Sequence, residues 1–295
     1  MTPTLRQRVF IIHNPVAGRR DGFFQATVRK LESFGMNLEV RETRRPGDAE
    51  NLARDAARND ACEAVIAAGG DGTIREAANG LLGGSLPLGV IPIGTANVFA
   101  AEIGLEPTPE CAANAIAFGA ARPICLGDLN GRAFLLMAGA GFDARVVAGV
   151  PPRLKKRFGK GAYVILALKH LLQNPPPRLT VTIEGSEYRA AWAIVSNGRF
   201  YGGKFLQAPE ANLQQPGFVV SLFGGEGRFG VLRGLTALGL GRPSPARQIS
   251  QVQCVAITSG QPEPVQADGD MAGTLPAAVT VSPHRIQLIM PQEGS

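Results

Sequence analysis

The sequence predicts an α/β protein, with an N-terminal parallel-sheet α/β domain over residues 1–125 and a C-terminal antiparallel β-rich domain over residues 126–284. Three observations carry this reading. Up to residue 125, short apolar segments alternate with amphipathic helical stretches. Beyond it, brief runs rich in β-branched residues are parted by Gly, Pro and Asn. Three glycine-bearing stretches, "HNPVAG", "AAGGDGT" and "IPIGTAN", each follow a predicted strand, where parallel sheets hold ligands, so they should meet at one crevice.

Residues 9–13 read as the first strand. A helix over 23–34 follows, with Phe24, Val28 and Leu31 on one stripe and Gly35 as its stop. Residues 38–43 form a strand and 48–57 a helix. The run "AVIAAGGDGTIREAANG" (64–80) begins as a buried strand, 64–68, and turns on glycines. It continues as a helix over 73–82 that places Ile74, Ala77, Ala78 and Leu81 on one side. Residues 88–91 are the next strand. In the second half, "RAFLLMAG", "RLTVTIEG", "YRAAWAIVSNG", "GFVVSLFGG", "QISQVQCVAIT" and "AAVTVSP" read as strands, interrupted by helices over 159–172 and 228–240. The segment "IQLIM", within residues 285–295, is a candidate to return to the first domain.

A chain of 295 residues with 45% hydrophobic and 18% charged residues is long enough to bury the cores of two modest domains. The opening "MTPTLRQRVFIIHNP" lacks a signal-peptide apolar region and cleavage pattern, and Lys169 interrupts the apolar "YVILALKHLL". With no segment long enough to span a bilayer, the expected location is cytoplasmic. Cys62, Cys111, Cys125 and Cys254 lie far apart, which argues against a disulfide framework and against a zinc site. Net charge is +6, and "RLKKRFGK" concentrates Arg153, Lys155, Lys156, Arg157 and Lys160. That run is either a solvated helix entry or a patch attracted to anionic lipid headgroups or nucleic acid. Aromatic content of 6% with one Trp makes nucleic acid the poorer partner, and none is expected.

Glycines at the "GGDGT" turn let backbone approach a ligand, and the following helix offers unpaired N–H groups to an anion, for which phosphate fits. Asp71 is then a negative charge where a negative ligand should go. No Lys-Ser/Thr follows, so the turn is not a Walker A loop. "GRFYGGKF" (198–205) has that spacing, but Phe205 replaces the hydroxyl that would meet Mg²⁺, and the match reads as coincidence. "GAGFDA" (139–144) imitates a dinucleotide fingerprint without the acidic residue expected further on.

Read together, "NPVAG" (14–18), "GGDGTIREAANGLL" (69–82), "LGVIPIGTANVFAAEIGL" (88–105), "GRAFLLMAGAGFDA" (131–144), "SNGRFYGGKFLQAPEA" (196–211) and "QADGD" (266–270) resemble, in order, the soluble diacylglycerol kinase family. Sphingosine, ceramide and bacterial lipid kinases belong to that family, whose fold is shared with NAD kinases. The resemblance covers nearly the whole chain. It implies ATP-dependent, Mg²⁺-dependent phosphorylation of a lipid hydroxyl, diacylglycerol or sphingoid-like, by an enzyme in peripheral contact with an anionic membrane. A homodimer is compatible with exposed β edges. The active site would lie between the two domains.

The resemblance also implies roles. Gly69, Gly70, Asp71, Gly72 and Thr73 would cradle phosphate, with Asn14, Gly18, Thr43, Gly94, Thr95 and Asn97 as the other nucleotide contacts. Asp71 would act through Mg²⁺ or an intervening water, with the lipid hydroxyl as its alternative partner. By itself "ADGD" reads as a hairpin turn. The family carries Asp-Gly-Glu there, as base and anchor, so Asp268 is the expected base and Asp270, one methylene shorter than glutamate, the alternative. Val98 follows Asn97 where the family carries an aspartate. Gln215, Pro216 and Val219 stand where acids of a second, structural Mg²⁺ site would be, so that site is expected to be absent. Cys125 stands where an aspartate is common, with Asp128 three residues on. Two other functions remain open: a soluble-substrate kinase of the NAD-kinase type, and a lipid-binding protein impaired in catalysis.

Overall fold

A computed structural model describes residues 5–18, 21–149, 176–224, 233, 236, 237 and 246–292. The basic run 153–160, the helix expected over 159–172 and nearly all of the one expected over 228–240 lie outside them. The chain forms two compact units, Met1–Cys125 with Pro283–Ser295, and Leu126–Ser282.

The first unit alternates β1 (Arg8–His13), α1 (Asp21–Ser33), β2 (Asn37–Glu42), α2 (Asp48–Ala56), β3 (Ala64–Gly69), α3 (Asp71–Gly80), β4 (Leu88–Pro92), α4 (Val98–Glu102) and α5 (Pro109–Phe118), and β5 (Ala121–Leu129) leads out of it. Its sheet is parallel in the order β2-β1-β3-β4, with Ile11 level with Val40 on one side and Ile66 on the other. Every residue of β3 is buried. That explains its uninterrupted apolar run, since a parallel strand covered on both faces has no polar side. Phe24 and Leu31 of α1, with Ala113, Ile116 and Ala117 of α5, share a core with Val9, Ile11, Ile66 and Ile91. Helices α2 and α3 pack on each other closely enough that a side chain at Gly80 would overlap the Glu50 carbonyl. Leu288 pairs alongside Leu88, so residues after Pro283 complete this sheet.

Helix α3 starts at Asp71, two residues earlier than the apolar stripe suggests, because Gly70 holds the extended N-cap conformation. Asp71 in the first turn complements the positive helix end.

The second unit contains β6 (Arg132–Phe134), β7 (Met137–Gly141), α6 (Phe142–Gly149), β8 (Leu179–Ile183), β9 (Ser186–Ala190), β10 (Trp192–Ser196), β11 (Phe200–Tyr201), β12 (Phe205–Leu206), β13 (Phe218–Phe223), β14 (Arg247–Val252), β15 (Cys254–Ser259), β16 (Pro264–Ala267), β17 (Asp270–Thr274) and the start of β18 (Ala277–Ile289). One antiparallel sheet runs β14-β13-β10-β7-β16-β17; strands β18, β15, β8 and β9 pair in a second antiparallel set. Val181 and Ile183 of β8 alternate with Thr180 and Thr182, and Val255 and Ile257 of β15 alternate with exposed residues. Their apolar faces meet Ala138, Ala193, Val195, Val220 and Val265 of the first-named sheet in a sandwich core. Helix α6 packs on β7, β16 and β17.

Candidate active site

Three loops at the C-terminal ends of β1, β3 and β4 come together in the first unit. After β1, Asn14 Nδ2 donates to Thr73 Oγ1 at 2.9 Å, and Asn14 Oδ1 accepts the Val16 N–H at 3.1 Å, so one side chain shapes its own loop and ties it to α3. Gly18 has φ +75°, and a Cβ there would overlap the carbonyl oxygen of Ile93. After β4, the Gly94 N–H donates to the Gly69 carbonyl at 3.2 Å, and a Cβ on Gly94 would press on the Gly70 backbone. Gly69 likewise leaves room for the Thr73 side chain. Asn97 takes the left-handed conformation at φ 48°, its Nδ2 donating to the Pro92 carbonyl, while its Oδ1 is buried without a partner. Thr43 donates its N–H to the His13 carbonyl, Gly72 is half-buried, and Thr95 is exposed on the same set of loops.

Asp71 also reaches the start of a second helix. Its Oδ2 accepts the Val98 N–H at 3.1 Å and its Oδ1 the Phe99 N–H at 2.9 Å, so the carboxylate caps the start of α4 across 27 residues of sequence. The charge that looked misplaced meets a positive helix end. Val98 serves this arrangement with its backbone N–H.

In the second unit, "ADGD" is the tight turn of the β16–β17 hairpin, with Ala267 opposite Asp270 and positive φ at Asp268 (51°) and Gly269 (84°). The Asp268 carboxylate accepts three N–H groups, from Leu135 and Leu136 at 2.8 Å and from Met137 at 3.1 Å, while its own N–H donates to the Met137 carbonyl. It ties the hairpin to the segment entering β7. Asp270 begins β17, half-buried.

Sequence reasoning missed a buried polar group beside this turn. Gln266 Nε2 donates to Asp143 Oδ2 at 3.1 Å, and Gln266 Oε1 accepts the Gly269 N–H at 2.8 Å. Arg145, two residues on from Asp143 in α6, donates through Nε to Glu263 Oε2 at 2.7 Å, and Glu263 is itself buried. Burial pushes the Asp143 carboxyl up to about 7, against the pull of Gln266, of local N–H groups and of the Trp192 indole. Asp143 Oδ1 and Trp192 Nε1 nevertheless lack a hydrogen-bond partner of good geometry. The signal was present as the acidic residue inside the otherwise apolar "GAGFDA".

The other motifs resolve simply. "GRFYGGKF" is the β11–β12 hairpin, with no strand-to-helix turn. Gln215 and Pro216 are exposed, and Val219 packs with Ala208 and Ala211. Cys125 is buried, which raises its thiol pKa, while Asp128 Oδ1 accepts the Gly131 N–H in the turn after β5.

The donor chemistry sets what these loops could hold. The unpartnered Asn97 Oδ1 fits a ligand that brings donors, as a nucleotide does. Among the described residues no three His, Cys, Asp or Glu side chains gather; the carboxylate of Asp71 is a donor of the kind that Mg²⁺ takes beside phosphate.

Comparison with known proteins matches residues 8–129 to the diacylglycerol kinase catalytic domain and residues 137–290 to the YegS C-terminal NAD kinase beta sandwich-like domain. The chain is 30% identical over 297 residues to a diacylglycerol kinase of Bacillus subtilis, covering 97% of each chain. It is 32% identical over 209 residues to a Pseudomonas aeruginosa protein named "Probable lipid kinase YegS-like", covering 70% of this chain and 68% of that one. A crystal structure of a diacylglycerol kinase from Bacillus anthracis superposes with a TM-score of 0.79 at 22% identity over 98% of both chains, showing the same fold. A catalytic α/β unit joined to a β-sandwich unit defines the class: this is a lipid kinase. The chain belongs to the diacylglycerol kinase family. Among the described residues no helix is long and apolar enough to cross a membrane.

Proposed function

We propose that the enzyme transfers the γ-phosphoryl group of ATP to the hydroxyl of a lipid, diacylglycerol or a sphingoid-like lipid, in a Mg²⁺-dependent reaction on the cytoplasmic face of an anionic membrane. The reading rests on one observation above all. The loops bearing Asn14–Gly18, Gly69–Thr73 and Gly94–Asn97 are locked together around Asp71 at the C-terminal edge of a parallel sheet, the place where such sheets bind nucleotides. In this reading the first unit binds the nucleotide: backbone N–H groups at the start of α3 hold phosphate, with Asn14, Gly18, Thr43, Thr95 and Asn97 around it. Mg²⁺, when bound with the nucleotide, neutralises phosphate charge. Asp71 would hold that ion through its carboxylate.

The second unit handles the acceptor. The resemblance offered Asp268 as base; its three backbone bonds favour instead an anchoring role. We therefore assign the base to Asp270, which would take the proton of the lipid hydroxyl as the new oxygen–phosphorus bond forms. Transfer of label from γ-³²P-ATP into diacylglycerol, sphingoid base or a total lipid extract tests the whole reading. Wild type should label a lipid, and Asp270→Ala and Asp71→Ala should each label it about a hundredfold more slowly or worse. NAD phosphorylation without lipid labelling, or full activity in both variants, overturns it.

A further inference from the structure

Gln266 is two residues ahead of the Asp268–Gly269 turn, buried, and bonded at both ends of its carboxamide. A carboxamide has one accepting and one donating end, so which end faces Gly269 matters. With the oxygen towards Gly269, the N–H of the turn is satisfied. With the amide reversed, two donors would meet and the half-buried Gly269 N–H would lose its acceptor. Asp143 Oδ2 decides this, since it accepts and so draws Nε2 towards itself. The contact needs Gly139: a Cβ there would overlap Asp143 Oδ2 and press on Gln266 Nε2. The glycine of "GAGFDA" thus makes room for two protein side chains to meet. A second tie, Arg145 to buried Glu263, fixes α6 against the residue preceding β16.

We infer that Asp143 is a positioning residue of the phosphoryl-transfer reaction: by orienting the Gln266 carboxamide it holds the Asp268–Gly269 turn, and with it the Asp270 side chain, in the working geometry. The inference rests on the assignment of the base to Asp270, and the experiment separates the two. Amide hydrogen exchange at Gly269 and steady-state kinetics would be measured on the full-length protein for Asp143→Leu, Asp143→Asn, Gly139→Ala and Gln266→Met, with thermal unfolding to confirm folding. Asp143→Leu should speed exchange at Gly269 and lower kcat by about tenfold each, the equivalent of one ordinary hydrogen bond. KM for ATP should stay within about twofold, because the nucleotide loops belong to the other unit. Asp143→Asn keeps an accepting oxygen and should restore both readouts to within about threefold of wild type. Gly139→Ala, which leaves both polar groups in place but drives them apart, should reproduce the Asp143→Leu behaviour. Folded Asp143→Leu protein with unchanged Gly269 exchange overturns the inference even if kcat falls. Faster Gly269 exchange in a protein whose Asp270→Ala variant is fully active would leave the turn-holding role standing and remove the base assignment.

Discussion

Asp71 and Asp268 are both carboxylates held by main-chain N–H groups, two for the first and three for the second. Each spends its charge on fixing backbone before any substrate arrives. Removing the Asp71 carboxylate should therefore weaken the protein as well as its catalysis. Asp71→Ala is expected to lower unfolding stability by roughly 3 kcal/mol, the loss of two charge-assisted bonds, read from the denaturant midpoint. Asp143 behaves oppositely. Its carboxyl is fully buried with a pKa pushed up to about 7, above the ordinary 3.8. Among the described residues, the charged groups on the elements packed around it are Arg145 on its own helix, paired to Glu263 ahead of β16, and Asp270 on β17; β7, β10 and β16 carry none. The folded state binds this proton more tightly than the unfolded chain, so stability falls as pH rises from about 4 towards 7, by an order of 4 kcal/mol in total. Asp143→Asn should flatten that dependence, gaining on wild type at pH 8 and not at pH 4 in thermal melts. Trp192, the one tryptophan in the chain, lies beside Asp143, and its fluorescence should titrate near pH 7 in wild type and not in this variant.

At the scale of elements, the decisive contacts are between turns. Gly18 has no room for a methyl group against the Ile93 carbonyl and has a φ that disfavours one. Gly18→Ala should lower stability by about 1–3 kcal/mol and weaken ATP binding measured by calorimetry, because the first and third loops would part. The β16–β17 hairpin separates its two aspartates by consequence. Asp268→Ala leaves three N–H groups without their acceptor and should reduce both melting temperature and activity. Asp270→Ala should reduce activity while the melting temperature stays within a few degrees, and equal melting losses in both variants would count against the division of roles.

For the molecule as a whole, β18 is shared: Ala277–Thr280 pair with β15 in the second unit, and Leu288 lies beside Leu88 in the first. Leu288 is fully buried. Leu288→Ala should cost about 2–5 kcal/mol and appear in the unfolding of the N-terminal sheet, although the residue is near the end of the chain. We propose the basic run 153–160 as the source of an attraction to anionic vesicles. Its strength should fall steeply as salt is raised, and Lys155→Gln with Lys156→Gln and Arg157→Gln should remove most of it in a sedimentation assay.

The elements of the first unit from β1 to β4 were legible in the sequence because a parallel strand buried on both faces writes a continuous apolar run, as "AVIAAG" does, and helices such as α1 and α3 write a stripe of period 3.6; the five-residue α4 and the alanine-rich α5 write no such stripe and were not read. The β texture of the second half was legible through alternation such as "LTVTI". The three glycine loops could be assigned to one edge of the sheet from strand order alone. What the loops bond to could not. That Asp71 caps α4, that Asp268 gathers the N–H groups of 135–137, and that Asp143 meets Gln266 over Gly139 are pairings across 27 to 133 residues. Local pattern reports which side of an element is apolar, and it carries no information on which distant N–H a carboxylate will find. That partner is selected only when the packed sheets bring the two segments within hydrogen-bonding distance. The sequence by itself determined the family, the alternation of elements and the candidate carboxylates; the tertiary structure decided what each carboxylate holds.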